Sequence, residues 1–170
     1  MPISLYDASV PYFTQMLRAL AANLDKAAAY AARHRVEAPV MLGLRLYPDM
    51  LPLGRQVQIA SDNAKGASAR LAKSEIPRYE DNEATFDEMK ARIAKTIDFM
   101  AGLDRDAFAG AEDRDVTWPS GGSQRTLRGK DYLFTHAIPN FTFHVTIAYA
   151  IMRHVGVELG KRDFLVGQQA

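Results

Sequence analysis

Apolar residues recur at alternating intervals of three and four positions along much of this chain, which is the spacing of amphipathic helices. The first series is Val10, Phe13, Leu17, Leu20, Leu24, Ala27 and Ala31, the second is Leu53, Val57, Ala60, Ala64, Ala67 and Leu71, and the third is Phe86, Met89, Ile93, Ile97 and Met100. Three helices of bundle length are therefore predicted. The small residues of the second series predict a close approach to a neighbouring helix. Asp49 is expected to cap that helix, and Pro52 to stand in its first turn.

The helical spacing breaks down between residues 104 and 129. There the sequence VTWPSGGSQRTL places Val116 and Trp118 before a Pro-Ser-Gly-Gly turn and a Thr-Leu pair after it. Such a turn between residues that favour strands predicts a short β-hairpin, with Trp118 as its apolar anchor.

A fourth helical region is predicted from about Asp131 to Val155. Pro139 interrupts it, because proline lacks a backbone donor and disfavours helix at the residue before it. We therefore expect a kink or a fresh helix start near Ile138. Gly156 is expected to end the helix, and the residues beyond it to form a C-terminal arm.

The last predicted helix has two faces that favour burial. One series is Asn140, His144, Ile147, Ile151 and His154, and the other is Phe141, Val145, Ala148, Met152 and Val155. A helix that is apolar on two faces needs two partners, so we predict a homodimer in which a second subunit covers part of the face from Phe141 to Val155. Asn140 and His144 lie four positions apart on one face, so they form either a structural polar cluster or a binding pocket.

Composition and charge exclude several classes of function. The 21 Lys and Arg residues nearly balance 20 Asp and Glu residues without a basic block, so no nucleic-acid partner is expected. The absence of cysteine excludes thiolate catalysis and zinc sites with sulfur ligands. No apolar stretch has the length of a membrane span and no secretion signal is apparent, so we expect one cytoplasmic domain over residues 1–170. Asp62 and Lys65 are expected on the solvated face of the second helix.

The four histidines are spaced too widely to predict a metal site of three histidines. His144 and His154 lie ten positions apart, about 15 Å along a helix, whereas ligands of one ion lie within a few ångströms of one another. His136 precedes His144 by eight positions, and His34 stands between two arginines at the end of the first helix. A mixed site remains open, in which His144 is joined by amides and a carboxylate such as Asp49.

Two stretches of the chain resemble the signatures of a known family. They are YPDMLPLGRQVQIASDNAK (residues 47–65) and PNFTFHVTIAYAIMRHVGVELGKRDFL (residues 139–165). They resemble a bacterial family of unknown function within the DinB/YfiT-like superfamily, and the resemblance covers essentially the whole chain. It implies an all-α, DinB-like four-helix bundle with a short β-hairpin insertion before the last helix. Many superfamily members carry a divalent metal on three histidines and act as thiol transferases or hydrolases.

Position by position, the resemblance implies a degenerate metal site. The superfamily has two histidines four residues apart in the last helix, where this chain has Asn140 and His144. The third histidine, on the second helix, has no counterpart, and Gln56 stands nearest to its place. We therefore expect Gln56, Asn140 and His144 to line a pocket for an unknown small molecule, with no metal cofactor or only a weakly bound divalent ion at His144. The expected function is a small-ligand-binding or non-catalytic homodimer; the alternative is a divalent-metal-dependent transferase or hydrolase that uses His144.

Overall fold

A computed structural model describes residues 3–167 and shows a mostly helical protein with one β-hairpin. Its helices are α1 (Leu5–His34), α2 (Ala38–Leu42), α3 (Leu53–Ala72), α4 (Phe86–Ala101), α5 (Gly129–Tyr132), α6 (Ile138–His154) and α7 (Lys161–Val166). Its antiparallel strands are β1 (Asp115–Ser120) and β2 (Ser123–Arg128). Helices α1, α3 and α4, the β-hairpin and α6 thus follow the predicted order.

Helices α1, α3, α4 and α6 enclose the core, and α3 packs against both α4 and α6. The apolar series predicted for α1 and α3 are buried, and the rings of Phe13 and Phe141 meet edge to face with their centroids 4.8 Å apart. Ala60, Ala64 and Ala67 are completely buried, which confirms the predicted close approach along α3. One face of α3 consequently lies near α6 and another near α4.

Asp49 does not cap α3, contrary to prediction. The capping position belongs to Pro52, no side chain caps the helix, and Asp49 is exposed. The backbone of the preceding loop takes over part of this role, because the Leu53 amide donates a 2.9 Å hydrogen bond to the carbonyl of Leu44. A free N–H at a helix start can be satisfied by any suitably placed acceptor, so a side-chain cap is not required.

Pro139 changes the type of helix without breaking it. Residues Leu133–Ala137 form a π-helical turn, and helical dihedral angles continue through Ala137 and Ile138 into α6. A π turn inserts an extra residue into the hydrogen-bond ladder, and this change of pattern accommodates the absence of a backbone N–H at Pro139. The predicted fresh start near Ile138 is therefore a change of hydrogen-bond pattern within one continuous helical region.

The apolar face of α6 that was assigned to a second subunit lies in the core of the chain itself. Phe141, Val145, Ala148 and Met152 are all at most 2% exposed, because α1 and α3 cover them. The prediction that a partner covers these side chains is therefore wrong. On the outer side of the same helix, Phe143 is 52% exposed.

The β-hairpin is anchored on the helical region that follows it. Val116 and Trp118 point inward and are buried, and the Trp118 ring centroid lies 4.8 Å from that of Tyr132 and 4.5 Å from that of His136. The predicted role of Trp118 as hairpin anchor is confirmed. In residues 3–167, no helix has both the length and the hydropathy needed to cross a bilayer.

Candidate functional site

The structure brings His144 of α6 and Gln56 of α3 into direct contact. His144 Nδ1 lies 2.7 Å from Gln56 Oε1, and the Gln56 amide nitrogen donates a 2.9 Å hydrogen bond to the carbonyl of Leu51. Because a carbonyl only accepts, this second bond orients the Gln56 amide with its oxygen toward the imidazole. His144 must then carry its proton on Nδ1 and donate it to Gln56.

This arrangement leaves Nε2 of His144 as a hydrogen-bond acceptor. Burial lowers the pKa of the imidazole, so the ring is neutral near pH 7 and Nε2 keeps its lone pair. The side chain is half-buried, while Gln56 is only 2% exposed. The structure thus presents an oriented acceptor that is supported from behind by a buried amide.

An aromatic side chain flanks the imidazole. The exposed Phe143 ring meets the His144 ring edge to face at 5.3 Å between centroids. Leu51, whose carbonyl accepts the hydrogen bond from Gln56, is 43% exposed. The site therefore combines one polar acceptor with neighbouring apolar surface, a combination found in small-molecule sites.

Asn140 does not join His144 and Gln56. Its amide nitrogen donates a 3.2 Å hydrogen bond to Asn63 Oδ1, one turn of α6 away from the imidazole. Within residues 3–167, the amide nitrogen of Asn63 is buried and has no hydrogen-bond partner. The three predicted site residues thus form two adjacent polar contacts between α3 and α6.

These contacts belong to a longer polar seam, which we define as Gln56, Asn63 and Arg70 of α3 together with the residues that they face. The third contact is between Arg70 Nη1 and the hydroxyl of Tyr132, at 3.4 Å. The three α3 residues are spaced by seven, which keeps them on one helix face. Sequence reasoning missed Asn63 and Arg70, although this spacing of seven was available to identify them.

The residues present do not fit a divalent metal bound by three histidines. Both polar atoms of the Gln56 amide are already used, and Asn140 turns toward Asn63. The ring of His136 packs against the rings of Trp118 and Tyr132. Among residues 3–167, no group of three or more His, Cys, Asp or Glu side chains could hold an ion. His144 alone has the form of a ligand, since metal-bound histidines donate their second N–H to an acceptor as His144 does.

A second polar region, which we call the ionic cluster, lies on the α4 side of α3. Arg92 of α4 is buried and forms ion pairs with Glu83 at 2.8 Å and with Asp62 and Asp81 at 3.0 Å. Lys65 is 4% exposed and pairs with the same Asp62 oxygen at 2.9 Å. The prediction that Lys65 lies on a solvated face is therefore wrong, because the segment between α3 and α4 folds over it.

The ionic cluster holds its charges in their ionised forms. Burial opposes ionisation of Glu83, but the hydrogen bonds from Arg92 and Gln58 outweigh it and lower the pKa of the carboxyl. Burial also opposes the charge of Arg92, yet Glu83, Asp62 and Asp81 raise the pKa of its guanidinium. The cluster thus joins α3, α4 and the connecting segment through charge, whereas the polar seam uses mostly neutral groups.

Comparison with known proteins identifies the family of this chain. A family model described as "Domain of unknown function (DUF1993)" matches residues 5–165. The crystal structure of a DinB family member protein from Shewanella denitrificans is similar, with a TM-score of 0.89 and 40% sequence identity, and the match covers 98% of this chain and 94% of that chain. No curated protein matches the chain. The predicted resemblance to a DinB-like family of unknown function is confirmed.

Proposed function

This chain belongs to the DUF1993 family of domains of unknown function, and we propose that it is a small-ligand-binding, non-catalytic member. In this proposal the DinB-like four-helix bundle formed by α1, α3, α4 and α6 holds a pocket at His144, and the ancestral metal site has become a hydrogen-bonding site. The protein functions without a tightly bound metal cofactor.

The observation that carries this proposal is the fixed direction of the Gln56 amide. Because Gln56 donates to Leu51 and accepts from His144, the imidazole offers an acceptor at Nε2 and no donor there. The matching ligand carries a hydroxyl or N–H group. Its apolar part would lie against Phe143 and Leu51, which are both exposed.

We further propose that the protein is a cytoplasmic homodimer. Phe134, in the π-helical turn that leads into α6, is 50% exposed, and aromatic rings of this kind are enriched at protein–protein interfaces. The face from Phe141 to Val155 cannot serve this purpose as first predicted, so the dimer would use the outer side of this helical region. Light scattering at micromolar concentration should report twice the chain mass, and a monomer would contradict the proposed dimer without affecting the pocket.

The experiment for the pocket combines metal analysis with a fragment screen. Elemental analysis of untagged protein, followed by titration with zinc, nickel and manganese, should show no ion held at one per chain, because one imidazole leaves most of the coordination shell to water. In a nuclear magnetic resonance screen, small alcohols and amides with an apolar group should shift the His144 ring signals. The same fragments should not bind a His144→Ala variant, while Thr146→Ala, an exposed change on the same helix, should bind them normally.

The opposite result would favour the alternative function. A stoichiometric ion that survives dialysis and is lost in His144→Ala would contradict the metal-free site and support a divalent-metal-dependent transferase or hydrolase. The single observation in favour of that alternative is the Nδ1–H donated to Gln56, because metal-bound histidines likewise donate the N–H of their second ring nitrogen to an acceptor.

A further inference from the structure

A second candidate site lies at the other end of α3, in a cleft between that helix and the segment that leads to α4. The cleft has a volume of about 280 Å³. Lys65, Arg70 and Arg78 contribute three positive charges to its wall, and Asp62 contributes one negative charge. The lining side chains therefore carry a net charge of plus two.

The arginine in this cleft is seated by a glycine. A Cβ atom added to Gly66 would lie 2.6 Å from Arg70 Nη1, and the three nearest atoms to that position all belong to the Arg70 guanidinium. Glycine in the middle of a helix is less favourable than alanine. Here the missing Cβ leaves room for Arg70 to lie back across the helix, with its guanidinium over Gly66.

The donors of this arginine are largely unused. Within residues 3–167 its one hydrogen-bond partner is the Tyr132 hydroxyl at 3.4 Å, and it has no carboxylate within ion-pair distance. A guanidinium carries five N–H donors in a planar fork that matches the oxygens of a phosphate or carboxylate. Arg70 is therefore a positioned guanidinium with several donors available.

Lys65 adds a second, buried charge. Its Nζ lies 3.6 Å from the centroid of the Tyr79 ring and 2.9 Å from Asp62 Oδ1, an oxygen that also pairs with Arg92. One carboxylate oxygen thus faces two buried cations. An ammonium has three donors, of which Asp62 and the ring of Tyr79 occupy two. One N–H donor of Lys65 therefore remains for an anion in the cleft, whose lining includes this side chain.

We infer that this cleft binds a phosphate group, such as that of a small phosphate monoester, through Arg70, Lys65 and Arg78. A phosphate monoester carries close to two negative charges at neutral pH, which matches the net charge of the lining. Arg70 supplies bidentate donors to the phosphate oxygens, and Lys65 supplies a buried point charge. This site is separate from His144 and does not depend on the function proposed for it.

The test measures binding of inorganic phosphate and of phenyl phosphate by calorimetry at low ionic strength. Arg70→Gln should weaken binding by about tenfold or more, the usual effect of losing a hydrogen bond to a charged group. Arg18→Gln, which removes one exposed positive charge from α1, is the control and should leave affinity within about twofold, because surface charges at a distance are screened.

Gly66→Ala separates a built site from general positive charge. It keeps every charge and improves helix propensity, but its methyl group displaces the Arg70 guanidinium. Phosphate affinity should fall several-fold while the unfolding curve is unchanged or more stable. An unchanged affinity in Gly66→Ala would overturn the inference, as would absence of phosphate binding to the wild-type protein or equal binding of acetate.

Discussion

Helix α3 carries polar residues on two sides, and the two sides bury them in different ways. Toward α6 the polar seam pairs amides with a neutral imidazole, as in the 2.7 Å contact between Gln56 and His144. Toward α4 the ionic cluster surrounds the buried Arg92 with three carboxylates. The first side is stabilised by hydrogen bonds that leave one acceptor free, and the second by charges that compensate one another.

This difference indicates which side is structural and which can bind a ligand. Arg92 Nη1 and Nη2 both donate hydrogen bonds within the chain, to the Glu80 carbonyl and to carboxylates. The ionic cluster therefore holds α4 and the connecting segment against α3. His144 uses one ring nitrogen and presents the other. A group at the surface with a free hydrogen-bonding atom is available to a ligand, whereas a buried charge paired with carboxylates of the same chain contributes to folding.

The largest expected effect comes from the ionic cluster. Arg92→Met should lower the free energy of unfolding by about 3 kcal/mol, because it leaves the nearly buried carboxylate of Glu83 without its cation. Lys90→Met is the control on the same helix, since Lys90 also pairs with two carboxylates but at the exposed surface. It should cost less than about 1 kcal/mol. Urea unfolding measures the free energy of unfolding of both variants. Equal losses in Arg92→Met and Lys90→Met would show that the buried cluster stabilises the protein no more than a surface ion pair does.

A smaller effect is expected from the polar seam. His144→Ala should destabilise the protein by roughly 1 to 3 kcal/mol, because it leaves the buried Gln56 oxygen without a donor. Thr146→Ala, an exposed substitution two residues along α6, should change stability by less than about 0.5 kcal/mol. Thermal unfolding would measure the difference. An unchanged melting curve for His144→Ala would show that water replaces the imidazole and that the site is open to solvent.

The smallest effect distinguishes the two sides by pH. A histidine whose pKa is lowered by folding contributes stability in full above its unfolded value near 6.5, and loses that contribution as pH falls toward the folded value. Glu83, whose folded pKa is lowered, loses its contribution only as pH falls below the usual range of a carboxyl near 4.5. Between pH 7.5 and 5.5 the contribution of the histidines to the free energy of unfolding therefore changes, and that of the ionic cluster does not.

Urea unfolding at several pH values measures this response in matched proteins. Wild-type stability should fall more between pH 7.5 and 5.5 than the stability of His144→Gln. His136, whose pKa is also lowered, mainly by burial, is present in both proteins and cancels in the comparison. Identical slopes would mean that the His144 ring is as solvated in the folded protein as in the unfolded chain.

The predictable part of the site followed from residues that interrupt an apolar pattern. His144 stood at a position where the series of α6 calls for a core residue, and Gln56 was placed beside it by the resemblance to the DinB-like superfamily. The structure brings these two together. It separates Asn140 from them, because whether an amide one turn away turns toward His144 or Asn63 depends on side-chain packing that spacing alone does not specify.

The ionic cluster could not be predicted in the same way. Lys65 and Arg92 stand at positions that, by pattern alone, belong to polar helix faces, and charged residues are almost always exposed unless paired. Their burial depends on how the proline-containing segment between α3 and α4 folds back, which brings Tyr79 and Glu83 over them. The segment between α3 and α4 has no regular spacing of apolar residues, so its path over α3 cannot be predicted from the sequence pattern.

The sequence by itself determined the long helices, the hairpin and the family, because the period of apolar residues and the turn residues act locally along the chain. Only the tertiary structure decided which side of α6 is buried, which amides meet, and which charges leave the surface. Those outcomes depend on elements that are distant in sequence, such as α1 covering the Phe141 face and Gln56 lying 88 positions from His144. Burial and hydrogen-bond pairing are properties of contacts between elements, and one-dimensional spacing defines only the faces that are available for them.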